Sequence, residues 1–205
     1  ELDSDPYVVI NNGKLKWIQD AYTVSTNYPY SEPSNNGYNY WRNSVKAVID
    51  AYDGTVEFYI SDNSDPLIDT YSKIFPNVFK SISDMPSDLK DHIRYPIDLF
   101  KVQSEKYLEY HMQDSQIFYN NEDLWNIPKE KFGQSGELQN VEPYYIVMNL
   151  PGNDDSEFVL IRPFTPNQRK NLIGWLAGRS DGDQYGKLIA YNFPKDLTIY
   201  GTEQI

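Results

Sequence analysis

The chain has 205 residues, with 30 Asp and Glu against 18 Lys and Arg, a formal net charge of −12. This excludes free nucleic acid and anionic membrane surfaces as natural partners, since both need a basic field. Apolar residues at 40% and aromatics at 15% are too many for a disordered chain, and the absence of Cys excludes thiol catalysis, iron–sulfur clusters and Cys-based zinc sites.

Glu1-Leu2-Asp3-Ser4-Asp5 is neither basic nor apolar and cannot act as a signal peptide. No window approaches the length of apolar chain that spans a bilayer. The first residue is not Met and the last follows closely on an expected strand, so both ends read as cuts through a longer protein.

Taken in chain order, Tyr7–Ile10 and Leu15–Ile18 flank Asn11-Asn12-Gly13-Lys14, which predicts a hairpin because Asn and Gly tolerate positive φ. Residues 23–40 are rich in Tyr, Ser, Asn and Pro, show no period and read as a long ordered loop. Val45–Tyr52 and Thr55–Ile60 flank Asp53-Gly54, a second hairpin signal. The first of these runs also fits a helix, and the Asp-Gly turn favours strand. In the second run Val56, Phe58 and Ile60 alternate with Thr55, Glu57 and Tyr59.

Residues 65–127 change period and read as a helical insert. Asp65-Pro66 is an N-cap followed by Pro at the first helical position, with Ile68, Tyr71 and Phe75 at helical spacing. A second helix is expected from Pro86, with Leu89 and Ile93 on one face, and a third from Pro96, with Phe100, Tyr107, Leu108 and His111 in register. Short helical turns are expected at Gln116–Tyr119 and Glu122–Trp125, and a loop over 128–142.

Strands return at Tyr144–Met148 and Phe158–Ile161 around the polar turn Pro151–Asp155. Thr165-Pro-Asn-Gln168 has the form of a capping box and predicts a helix with Leu172, Trp175 and Leu176 on its buried stripe, ending at Gly178 and Arg179. Lys187–Tyr191 is the closing strand. The expectation is therefore one α+β domain over 1–205, a mixed or antiparallel sheet with helices packed on it. The order from residue 55 is ferredoxin-like (split βαβ), with extra N-terminal hairpin strands.

No GxSxG, P-loop or GxGxxG is present. Gly133-Gln-Ser-Gly136 lacks the nucleophile spacing, and Gly178, Gly182 and Gly186 read as a helix C-cap and a turn. His111 falls on an apolar stripe and reads as a core residue with one hydrogen bond, while His92 reads as exposed. Ca²⁺ is the ion that the oxygen clusters Ser61–Asp65, Gly152–Asp155 and Asp181–Asp183 suit, but none has EF-hand spacing and such clusters are usually solvated turns. No metal ligand set or cofactor is assigned.

Glu122 and Asp123, near Glu130 and Trp125, offer the carboxylate pair and aromatic that a glycan or peptide hydrolase needs. The stretch from Tyr22 to Trp41 carries Tyr28, Tyr30, Tyr38 and Tyr40 as well. Its rings suit recognition of a glycan or peptide, with packing back onto the sheet as the alternative. Tyr30, Tyr38 and Trp41 are the candidate binding residues.

Several spaced words together carry a family likeness. They are Asp5-Pro-Tyr-Val-Val, Trp17-Ile-Gln-Asp-Ala-Tyr-Thr, the run Arg42–Val56, Ile93–Gln103, Phe118–Trp125, Pro143–Met148, Pro163-Phe-Thr-Pro and Leu176–Asp181. The chain resembles the large extracytoplasmic region of a bacterial uncharacterised protein family of the UPF series, whose members are multi-pass membrane proteins. The resemblance implies a soluble fragment of a cell-membrane protein, placed on the extracytoplasmic side. Its partners would be the remainder of the parent chain and envelope polymers or proteins, and its role non-enzymatic recognition or assembly at the cell envelope. The resemblance supplies no catalytic residue.

Overall fold

β-Branched and aromatic runs separated by Asn-Gly and Asp-Gly build the first sheet. In the computed structural model, which describes residues 1–133, 136–152, 155–194 and 196–204, β1 (Tyr7–Asn11), β2 (Lys14–Ser25), β3 (Tyr40–Asp50) and β4 (Val56–Ile60) form an antiparallel meander. Asn12 and Gly13 take positive φ at the first turn and Gly54 does so at the second, as the hairpin readings require. α1 (Pro66–Ile74) follows, capped by the Asp65 carboxylate on the Leu67 N–H. β5 (Phe79–Ser81) then returns parallel to β4, giving the order β1-β2-β3-β4-β5. α2 (Ser87–Lys90) is a single turn, shorter than the expected helix, though Leu89 and Ile93 are both buried. α3 (Ile97–Tyr110) starts immediately after Pro96, as expected.

α4 (Ser115–Asn120) ends at Asn121 in the left-handed region. The helical turn expected at Glu122–Trp125 is absent, because Trp125 and Asn126 form β6 (Trp125–Asn126) and pair with Thr165 and Pro166. Residues 128–142 are not a plain loop either. β7 (Lys129–Phe132) and β8 (Glu137–Asn140) make a hairpin, with Gly133 and Gly136 at positive φ in its turn. The Gln134-Ser135 pair of the dismissed nucleophile motif lies outside the described residues.

The last sheet is built from β9 (Tyr144–Asn149), β10 (Ser156–Pro166), β11 (Gly174–Arg179) and β12 (Leu188–Asn192), with β10 at its centre. β11 stands where a helix was expected. Leu172, Trp175 and Leu176 do sit at helical spacing, but positions 174–178 are buried on both faces of a strand that pairs with both β10 and β12. A strand covered on both faces loses its alternation and reads as a continuous apolar run. Gly174 is required by this packing, since a Cβ there would lie 2.6 Å from the Tyr191 carbonyl. The apparent capping box is the end of β10, followed by a turn with Gln168 at positive φ.

The α+β class holds, and among the described residues four α-helices lie within 66–120. The single-sheet, split βαβ order does not form, because β5 takes the free edge of β4 while, among the described residues, β9 to β12 pair among themselves and with β6. The chain forms two compact units, Glu1–Val102 and Gln103–Ile205. Among the described residues no helix is long and apolar enough to cross a membrane.

In the first unit one sheet face carries Tyr7, Ile18, Asp20, Lys46, Val48 and Tyr59, all buried. The segment before and into α3 is tied to this face. Arg94 lies 3.8 Å from the Tyr7 ring centre, the Leu99 N–H donates to the Tyr22 hydroxyl, and Tyr22 donates to Asp3. The alternation in β4 is real but runs opposite to hydropathy. Tyr59, at 2% exposure, points inward and Val56 outward. Beside it β3 is buried on both faces, with Lys46 and Val48 on one and Val45 and Ala47 on the other, and the inner face also holds the Lys46–Asp20 ion pair.

In the second unit Leu150, Val159, Ile161, Trp175 and Ala177 form one cluster, with Met148, Ile189, Tyr191 and Phe193 packed against it. On the other face of β10, Arg162 is buried and donates to the Val141 carbonyl and the Ser104 hydroxyl. Burial pushes its guanidinium below its ordinary value.

Candidate functional site

The aromatic loop of the first unit occupies residues 26–39, between β2 and β3. Asn39 holds it from within, because its amide accepts from the Tyr28 N–H and donates to the Tyr28 and Ser31 carbonyls. Tyr28 stacks on Tyr40 at 5.6 Å. Trp41 takes edge contacts from Tyr22 at 5.2 Å and from Tyr38 at 5.8 Å, and the Tyr38 hydroxyl donates to Glu1. The structure thus brings Tyr38 and Trp41 together as packing rings and leaves Tyr30 apart. The Tyr30 ring is fully exposed, on backbone at φ 59°. The left-handed region costs a non-glycine residue about 1–2 kcal/mol. Tyr30→Gly is therefore expected to keep or raise the melting temperature in a thermal scan, and a clear fall would mean that the ring packs in solution.

Behind the loop, the buried Asp65 carboxylate accepts from the Thr23 hydroxyl at 2.6 Å, the Ser44 hydroxyl at 2.5 Å, the Tyr40 hydroxyl at 2.6 Å and the Leu67 N–H at 2.9 Å. Burial pushes its pKa up, but the donors from Ser44, Thr23, Tyr40 and Leu67 outweigh it and hold the carboxyl below its ordinary value. The same carboxylate helps to push the Tyr40 hydroxyl, already raised by burial, up to about 12. Asp50, bonded by Lys16 and the Tyr52 N–H, is lowered to about 2. A folded value below the unfolded one contributes stability above roughly pH 4 that is lost as pH falls through the folded value. Asp3 acts in the opposite sense, because burial raises it and its contribution is lost as pH rises through its folded value. Acid titration followed by circular dichroism should show the first unit weakening from about pH 4 downward. Asp65→Asn should be less stable at pH 7 and lose less on acidification.

Two of the acidic clusters spend their oxygens within the chain. Asp62 accepts from Arg42 and Ser64, and Asp181 accepts from the Phe158 N–H. Asn153 and Asp154 of the third cluster lie outside the described residues. Among the described residues no group of three or more acidic or His side chains is placed to hold a metal ion.

Glu122 and Asp123 fall in the second unit and line one cavity of about 980 Å³. Both are exposed, and Glu122 accepts from the Asn120 amide. Neither has the apolar burial that sets a general acid apart from its partner carboxylate. His111 is a core residue with one hydrogen bond. Its Nδ1 is 3.0 Å from the Tyr107 carbonyl, its ring stacks on Trp125 at 3.8 Å, and its Nε2 lies 3.9 Å from Asp123. The rest of the cavity wall comes from 166–173 and 193–204. Arg169 and Lys170 are cations on this wall, and they carried no signal in the sequence because they lay inside an expected helix.

The other surface that sequence reasoning missed is the outer face of the first sheet. Val8 pairs with Trp17, Trp17 with Ile49, and Ile49 with Val56, so one apolar row crosses four strands. Val8, Trp17 and Val56 are 48%, 42% and 44% exposed. Ile10 and Leu15 add a second pair beside the row, and both are exposed. The signal was available in β1, where Tyr7, Val8, Val9 and Ile10 are apolar at successive positions, which one covered face does not require.

A family model described as an uncharacterised protein family, UPF0182, matches residues 1–205. The chain belongs to this family. It is 57% identical over its whole length to a UPF0182 protein of Pelotomaculum thermopropionicum, 56% to one of Nostoc sp. and 52% to one of Bradyrhizobium diazoefficiens. It covers 22%, 21% and 22% of those UPF0182 proteins, about a fifth of their length. No solved structure matches it.

Proposed function

We propose that this chain is a non-enzymatic assembly module of a larger bacterial envelope protein, held on the extracytoplasmic side of the cell membrane. In this reading the outer face of its first sheet docks on another segment of the same polypeptide. The observation that carries the reading is the row Val8–Trp17–Ile49–Val56, in which Val8, Trp17 and Val56 are exposed and Ile49 is half-buried. A contiguous exposed apolar patch marks an interaction surface. The bulk of each curated relative lies outside the matched stretch, which makes the same polypeptide the nearest source of a cover. A net charge of −12 works against an anionic lipid surface in that role. The membrane placement is supported by the family resemblance alone. Tyr30, which is fully exposed, is the loop residue left to meet an envelope polymer or protein.

Photo-crosslinking in cells tests this, with a benzophenone side chain placed at Val8, Val56 or Tyr30 of the full-length protein. At Val8 and Val56 the expected adducts are peptides of the same polypeptide from outside these residues. Adducts with lipid, or none, contradict the docking. Protease added to intact spheroplasts should cut this region, and protection would contradict the extracytoplasmic placement.

One observation favours a second reading, hydrolysis of envelope glycan or peptide, because Glu122 and Asp123 line the same cavity. Turnover of such a polymer by the full-length protein, lost in Glu122→Gln, would establish that reading against the first.

A further inference from the structure

The cavity of the second unit combines opposite charges that the fold leaves unused with an aliphatic wall. The Arg169 guanidinium is exposed and has no side-chain partner among the described residues, whereas its neighbour Lys170 is held by Glu203 at 2.7 Å. The Asp123 carboxylate comes no closer than 3.9 Å to the His111 ring. Leu124, Leu172, Ile173 and Leu197 supply apolar surface, and Phe193 is the single ring. The two segments that carry these groups are stitched together. The Leu172 N–H donates to Ile199 at 2.9 Å and the Phe193 N–H to Ile173 at 2.8 Å. At Gly201 a Cβ would stand 2.0 Å from the Lys170 carbonyl, so only glycine permits that approach.

The geometry points to this cavity as a binding site for a short peptide with free ends and apolar side chains. Arg169 would take the carboxylate through its planar fork, and Asp123 with Glu122 the ammonium. A purely anionic ligand would meet two carboxylates, and a neutral glycan would find one ring where stacking needs platforms. At about 980 Å³ the volume lies near the top of the range for small-molecule sites, which suits more than one amino-acid residue. This inference goes beyond the docking proposed above and stands without it, because the two concern different units.

Calorimetric titration of the full-length protein tests it with three probes: Ala-Leu-Ala, its N-acetyl form and its C-terminal amide. The free peptide should bind saturably, and either cap should weaken binding about tenfold or more. In Arg169→Gln, at an unchanged melting temperature, the acid and the amide should bind alike. In Asp123→Asn the effect of acetylation should shrink. No saturable binding up to ~10 mM, or an effect of one cap or neither, overturns the assignment.

Discussion

Replacing Lys46 by Ala is expected to destabilise the first unit by about 3–5 kcal/mol, the usual cost of leaving one member of a buried ion pair alone. Lys46 is fully buried and donates to Asp20, which is 2% exposed. Asn43 bridges the pair, donating to Asp20 at 2.9 Å and accepting from Lys46 at 3.0 Å. Without the ammonium, the Asp20 carboxylate keeps one amide donor and no countercharge on that side. The double change Lys46→Met with Asp20→Leu should cost much less than either single change, because apolar replacement of a whole buried pair is often neutral. Urea denaturation followed by far-ultraviolet circular dichroism measures both. Equal loss in single and double variants would show that packing volume, not the orphaned charge, is what matters.

The second large effect is expected at Phe164. Its side chain is fully buried, with ring centres 5.7 Å from Trp125 and 6.0 Å from Tyr107, opposite Gly174 on β11. Phe164→Ala opens a cavity among aromatic rings too large to follow it and should cost the second unit about 3–5 kcal/mol. Tyr119, exposed at the end of α4, is the control, and Tyr119→Ala should stay within about 0.5 kcal/mol. Similar melting temperatures for Phe164→Ala and Tyr119→Ala would contradict the packing described.

What the sequence made legible was local chemistry. Asn12-Gly13 and Asp53-Gly54 each fold as the turn their positive φ tolerance implies, and Asp65-Pro66 starts a helix with a bonded cap. Long-range pairing was hidden. Leu172, Trp175 and Leu176 mimic a helical stripe because β11 is buried on both faces, and only its partners β10 and β12 decide the matter. Thr165-Pro166 has the form of a helix start but pairs with β6. The β4 alternation was silent on direction, because its neighbour β3 is buried on both faces and Tyr59, not Val56, is the residue of β4 that is covered. Of the candidate site residues, Glu122 and Asp123 do share a cavity, while Arg169 on its other wall was masked by the helix reading. Of the loop rings, Tyr38 and Trp41 could not be told from Tyr30 by composition. Their separation depends on Asn39 and on the bend at Tyr30.

The docking of the outer sheet face is the claim on which the functional account depends, and the absence of Cys from these residues makes it directly measurable. Single cysteines placed at Val56 and at Lys73, whose side chain is 73% exposed on α1, can be labelled with maleimide in the native full-length protein once any Cys outside these residues is replaced by Ser. Each rate is then normalised to that of the denatured protein. A covered face predicts labelling at Val56→Cys slower than at Lys73→Cys by about tenfold or more, the protection given by closing a site for most of the time. Equal normalised rates at the two positions would show the row open to water in the whole protein and would contradict the account.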